Sequence, residues 1–194
     1  MRTLEDQVPQ RLFAGIPVPD SARDRIAAQL PASLPGRPVP KINWHFTLRF
    51  LGDTESSSRD AFVSALQAIT LGTPFEIRFD VLGAFPDPRK ARILWLGVDE
   101  GQKRITALAA KVESAARAAG FPPETREYTP HLTLARLRPS ASITHLIATA
   151  KPVSAAMIVN EVVLYRSELG GGTHSRYEII ERFPLRRRES ECLV

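Results

Sequence analysis

Cysteine is almost missing from this 194-residue chain. The single one, Cys192, excludes an internal disulfide and suits a reducing compartment, so the cytoplasm is the expected location. Only two residues follow it, which excludes a C-a-a-X prenylation signal. No apolar run approaches the roughly 20 residues that cross a bilayer. The opening residues, Met1 to Gln7, also lack the apolar core of a secretory signal, so no membrane partner is expected. No Cys pair and no H-x-x-x-H or H-x-H spacing offers a zinc site. The G-x-S-x-G elbow and the P-loop are likewise absent, and neither metal nor cofactor is expected.

What is present is ordinary for a globular domain, with 43% apolar and 24% charged residues, and long enough to bury a core. Sixteen prolines point to many defined turns. The net charge of +5 and a pI near 9.8 favour an anionic partner, either nucleic acid or a phosphorylated metabolite. The run Arg186-Arg187-Arg188 reads as a solvated tail or as extra backbone contacts to RNA.

Two stretches repeat one pattern: His45-Phe46-Thr47-Leu48-Arg49-Phe50 and His131-Leu132-Thr133-Leu134-Ala135-Arg136. Each alternates polar with apolar, which places His and Thr on one face of a strand. Between and around them the periodicities predict a strand over 11–19, a helix capped by Asp20 or Ser21, and a first motif strand over 43–51 stopped by Gly52-Asp53. A helix capped by Ser57 or Ser58 follows, then a hairpin of 75–82 and 91–98, and a helix over 102–119 closed by Gly120. After the second motif come a short helix over 141–150 and a long hairpin of 157–169 and 175–185 around Gly170-Gly171-Gly172. Each half thus reads helix, His strand, helix, hairpin. The expected fold is α+β and bilobal: two pseudo-symmetric lobes, each with an antiparallel sheet and helices, and a central cleft carrying both H-x-T motifs. Residues 11–185 are expected to form this single domain, with 1–10 and 186–194 as flexible termini and the chain a monomer.

Such a pair of strands suits a phosphodiester. In-line displacement needs a base, an acid and donors to the non-bridging oxygens. Histidine, with an ordinary pKa of about 6.5, serves as either acid or base. Residues two apart on a strand sit roughly 6–7 Å apart, too far for His45 and Thr47 to bond each other but close enough for both to reach a phosphate. Thr47 and Thr133 would donate hydroxyls. Arg49 shares the face of His45 by strict alternation, whereas Arg136 reaches the site only if its strand is distorted after Ala135. A lone H-x-T is weak, and two copies as structural core histidines remain the bland reading. His145 and His174 read as surface residues. Tyr165, Phe85 and Trp44 could stack on a base, although core packing is the better account of each.

The two motifs resemble those of the two-histidine phosphoesterase superfamily, and specifically its RNA 2′,3′-cyclic phosphodiesterase branch, long called 2′-5′ RNA ligases. The resemblance extends through Arg11 to Pro17, Asn43 to Gly52, Ile93 to Gly97, Thr129 to Arg136 and Leu164 to Leu169. It implies metal-independent opening of a terminal 2′,3′-cyclic phosphate to a 2′-phosphate, with RNA ends or nucleotides as partners and 2′-5′ ligation as the reverse reaction. The residues alone leave the acid and the base interchangeable; the resemblance gives His45 as acid, His131 as base and Arg136 as a phosphate contact. Two other readings stand beside it: a phosphodiesterase for a small cyclic nucleotide such as ADP-ribose 1″,2″-cyclic phosphate, and a non-catalytic module that holds RNA ends.

Overall fold

The computed structural model describes residues 8–168 and 175–186. The glycine turn, His174, Arg187, Arg188 and Cys192 lie outside them. Its strands are β1 (Gln10–Pro17), β2 (Arg37–Pro38), β3 (His45–Thr54), β4 (Phe75–Phe85), β5 (Ala91–Val98), β6 (Leu132–Ala141), β7 (Ala156–Val159), β8 (Glu161–Glu168) and β9 (Arg176–Pro184). The helices are α1 (Asp20–Ala27), α2 (Ser56–Ala68), α3 (Gln102–Ala118) and α4 (Thr144–Thr149). None is long and apolar enough to cross a membrane.

The strands form one antiparallel sheet in the order β7-β4-β5-β6-β3-β1-β8-β9, with β2 attached to β6. The mixed α+β class is therefore as expected, and the two motif strands are neighbours at the centre. They meet at one paired position, Phe46 opposite Leu132. Beyond it β2 takes over that edge of β6, with Arg37 opposite Arg136 and the Val39 N–H donating to the Leu134 carbonyl at 2.8 Å. The buried partners Phe46, Leu48, Leu132 and Leu134 join one core with Phe62 and Leu66 of α2 and with Ile105, Leu108 and Val112 of α3. This is the helical face of the sheet, and its apolar stripes are the ones the 3.6-residue periodicity marked.

Four expectations need correction. The hairpin following each motif in sequence pairs in the opposite half: β4-β5 lies beside β6, and β8-β9 lies beside β1, the neighbour of β3. The expected strand over 157–169 is two strands broken at Asn160, because β7 pairs with β4 while β8 pairs with β1. Continuous apolar sequence cannot show such a change of partner. Gly52-Asp53 does not stop β3; Gly52 sits at φ +76° beside a register shift, so it makes a bulge and the strand runs on to Thr54. The expected side-chain caps are not used either: Pro19 and Glu55 precede α1 and α2 without a capping bond. At the chain ends, Gln10 pairs with Thr54 and Arg186 bridges to Gly72, so these two boundary residues belong to the sheet rather than to loose tails.

A further correction concerns Arg49. Opposite β1, Gly15 faces Thr47 and Ala14 faces Arg49, which leaves Leu48 as an extra residue. Alternation therefore slips by one, and Arg49 turns to the helical face. There its side chain, 10% exposed, makes an ion pair with Glu113 of α3 at 2.6 Å. It also donates to the Phe50 carbonyl at 2.8 Å and to the carbonyl of Pro122. The guanidinium thus ties β3 to the segment leading into β6. Removing one partner of a largely buried pair leaves the other charge uncompensated. Arg49→Ala is expected to cost about 2 kcal/mol in urea unfolding, discounted for the partial exposure of Glu113. A double cycle with Glu113→Gln should show coupling of about 1 kcal/mol, and strict additivity would rule the tie out.

Candidate active site

Both histidines are held by the same device. The His45 Nδ1–H donates to the Asn43 carbonyl and the His131 Nδ1–H to the Thr129 carbonyl, each at 2.7 Å and each two residues upstream. A carbonyl can only accept, so Nδ1 carries the proton and Nε2 is the atom left for chemistry in both rings. His45 Nε2 lies 3.1 Å from Thr47 Oγ1. That contact corrects the estimate that the two would not bond: the backbone spacing is as expected, but the imidazole is long enough to span it.

Arg136 joins them through a distortion of β6. Opposite β5, Trp95 faces Thr133 and Leu94 faces Ala135, so Leu134 is the extra residue. The slip lies before Ala135 rather than after it, and it brings Arg136 onto the face of His131 and Thr133. The same slip at the matching leucine, Leu48, carried Arg49 off that face. Phe50, half exposed and 5.7 Å from Phe13 by ring centroids, is the residue of β3 that corresponds to Arg136.

The positive field of Arg136 acts on both rings. Burial is the largest effect on His45; it outweighs the Asn43 carbonyl, which favours the charged ring, and together with the smaller contributions of Arg136 and His131 it lowers the pKa to about 4. His131 is lowered as well, by burial first and Arg136 second, against its carbonyl. The burial comes from aromatic rings. Phe13 lies 4.7 Å and Tyr177 5.1 Å from His45, the latter edge-on, and Phe85 lies edge-on 4.9 Å from His131. Trp95, 6.3 Å from His131, lies across Gly83, where a Cβ would come within 2.2 Å of the indole.

Sequence reasoning missed Phe13, Phe50, Tyr177 and Trp95, which belong to this face. Gly83, opposite Trp95, was one available signal, because a bare glycine leaves room for an indole. Trp44 does not belong to it: the ring is 4% exposed and Nε1 donates to the Val39 carbonyl at 3.0 Å, so it is core. Tyr165 is also buried, stacked on Phe13 at 4.9 Å, and supports the face from beneath. His145 is exposed on α4, as expected. A separate cavity of about 720 Å³ is lined by Pro19, Arg23, Glu161 and Arg182, away from the histidines. Its Arg23 and Arg182 are already paired with Asp20 and Glu161. Among the described residues no group of three His, Cys, Asp or Glu side chains is placed to hold a metal ion.

The lowered pKa of His45 links to stability. Unfolded chain takes up the proton near pH 6.5 and folded chain near 4, so the unfolded state binds more protons between them. Stability is then full above about 6.5 and falls as pH drops towards 4, by at most about 3 kcal/mol. His45→Asn should flatten the melting temperature between pH 7 and pH 4.5. An unchanged acid slope in that variant would refute the linkage.

Comparison with known proteins agrees with this geometry. A family profile described as the 2′-5′ RNA ligase superfamily matches residues 18–171. The RNA 2′,3′-cyclic phosphodiesterase of Methanothermobacter thermautotrophicus is 37% identical over 136 residues, covering 68% of this chain and 73% of that protein. The protein of that name from Aquifex aeolicus is 34% identical, and the match spans 62% of its length and 59% of this chain. The crystal structure of Escherichia coli LigT complexed with 3′-AMP superposes with a TM-score of 0.77 at 29% identity, over 92% of this chain and 99% of LigT. With a profile that spans most of the sequence and a sheet that matches almost end to end, the chain belongs to the 2′-5′ RNA ligase superfamily.

Proposed function

We propose that this chain opens 2′,3′-cyclic phosphates at RNA ends or on nucleotides, leaving a 2′-phosphate and a free 3′-hydroxyl. The observation that carries the reading is the pair of Nε2 atoms, each aimed by an Nδ1–H bond to a carbonyl, in the field of Arg136. His131 Nε2 takes a proton from water as its oxygen attacks phosphorus. The bond from phosphorus to the 3′ oxygen breaks, and protonated His45 Nε2 delivers a proton to that oxygen. Thr47, Thr133 and Arg136 donate to the non-bridging oxygens and offset the developing charge. Thr47, bonded to His45 Nε2 at 3.1 Å, also orients the acid. The bound phosphate anion offsets Arg136 and so raises both imidazole pKa values towards the working range. Run backwards, with a 5′-hydroxyl in place of water, the same groups would join RNA through a 2′-5′ linkage.

Arg49, Trp44 and Tyr165 have no direct part in this scheme. Residues 11–185 act as one unit, because strands from both sequence halves build the site. The cleft needs no second copy, which supports a working monomer, and the lone cysteine fits a cytoplasmic setting.

RNA ending in a 2′,3′-cyclic phosphate should be converted to the 2′-phosphate in the presence of EDTA. His45→Ala and His131→Ala should each lower kcat by at least about 10²-fold. Full activity in either variant would sink the two-histidine mechanism. The pH profile follows from the lowered values. The base fails below the His131 pKa and the acid fails above the His45 pKa, so kcat/KM should peak on the acid side of about 6.5. A maximum well above neutrality would contradict these assignments.

A further inference from the structure

Strand β2 has two residues, and its placement is specific. Gly36, at φ +72°, packs so closely that a Cβ there would lie 2.6 Å from the Arg136 carbonyl oxygen. On the other side, the Val39 N–H bonds to Leu134. Between these two clamps Arg37 is set directly opposite Arg136. Opposed residues of an antiparallel pair project from the same face with Cα atoms about 5 Å apart, and like charges there repel. Neither guanidinium has a carboxylate or carbonyl partner among the described residues. Both are exposed. An uncompensated pair of arginines held side by side, one of them acting on both imidazoles, is a site for more than one negative charge.

The terminal phosphate already has its donors. In the proposed reaction its two non-bridging oxygens would be met by the Thr47 and Thr133 hydroxyls and by Arg136, whose field reaches both imidazoles. The five N–H groups of Arg37 are left over. We propose that Arg37 binds a second phosphate of the substrate, the internucleotide phosphate on the 5′ side of the terminal nucleotide, and so makes the chain select oligonucleotide ends over mononucleotides. This rests on the phosphodiesterase reading and deepens it. Arg37 is a specificity residue in this scheme and takes no part in proton transfer.

The test separates the second charge from every other contact. The full chain is titrated calorimetrically with a dinucleotide ending in a 2′-phosphate, and with the same dinucleotide in which the internal linkage is a neutral methylphosphonate. Wild type should bind the charged linkage about tenfold more tightly, the worth of one charge-assisted contact. Arg37→Gln should bring the two together by weakening only the charged form, while Arg37→Lys should restore part of the difference. The logarithmic salt dependence for the charged dinucleotide should also be shallower by about 0.7 in the Gln variant. Equal affinity of wild type for the two linkages overturns the proposal, as does equal weakening of both by Arg37→Gln. Turnover of the corresponding cyclic-ended dinucleotide is read separately. Failure of the wild type to open that ring would refute the catalytic reading without altering the binding result.

Discussion

The candidate site hangs on one extra residue in each of two strands. An ideal strand would carry His, Thr and the residue after next on a common face, and that arrangement would point Arg49 at a phosphate and bury Arg136. The slips at Leu48 and Leu134 exchange those fates. One arginine becomes a brace between β3 and α3, and the other becomes the charge shared by two imidazoles. Because the slip occurs at the same leucine in both motifs, the two strands keep the same shape while the residues they present differ: Phe50 on one, Arg136 on the other. Two like strands thereby present unlike ends, which suits the proposed reaction, where one group takes a proton and another gives it.

Burial and charge act together on that pair. Aromatic rings bury both histidines, and Arg136 adds to the cost of charging them, so the neutral rings are favoured. Only the carbonyls behind Nδ1 oppose this. They do so while fixing the tautomer, which leaves a neutral ring ready to accept a proton through Nε2. An anion beside Arg136 would offset the arginine's part of that cost and leave the part due to burial.

Much of this was legible in the chain. The two H-x-T-L motifs, the amphipathic faces of α2 and α3, and the hairpin of β4 and β5 all follow from period and punctuation, which are local. What was not legible depends on partners. Nothing near Asn160 shows that the strand before it pairs with β4 and the strand after it with β1. The parity slip is equally invisible along one strand, yet it could have been read between strands: aligning the two motifs sets Arg136 against Phe50 and never against Arg49. The aromatic surround escaped because each ring comes from a different element, and Trp44, the nearest aromatic in sequence, is turned into the core.

The exchanged hairpins bear on how the protein is made. The strand that carries His45 is flanked by β1, and β1 in turn is covered by β8, so residues near position 14 wait for residues near position 164 before the sheet can close. Pairings that distant slow folding, because the loop between them must be ordered first. During synthesis the first motif emerges early, but Tyr165 and Tyr177, which line and support the pocket around its imidazole, are among the later residues to appear. Until they arrive that imidazole lacks two of the rings that surround it, so the proposed site is assembled only after β8 and β9 have joined the sheet.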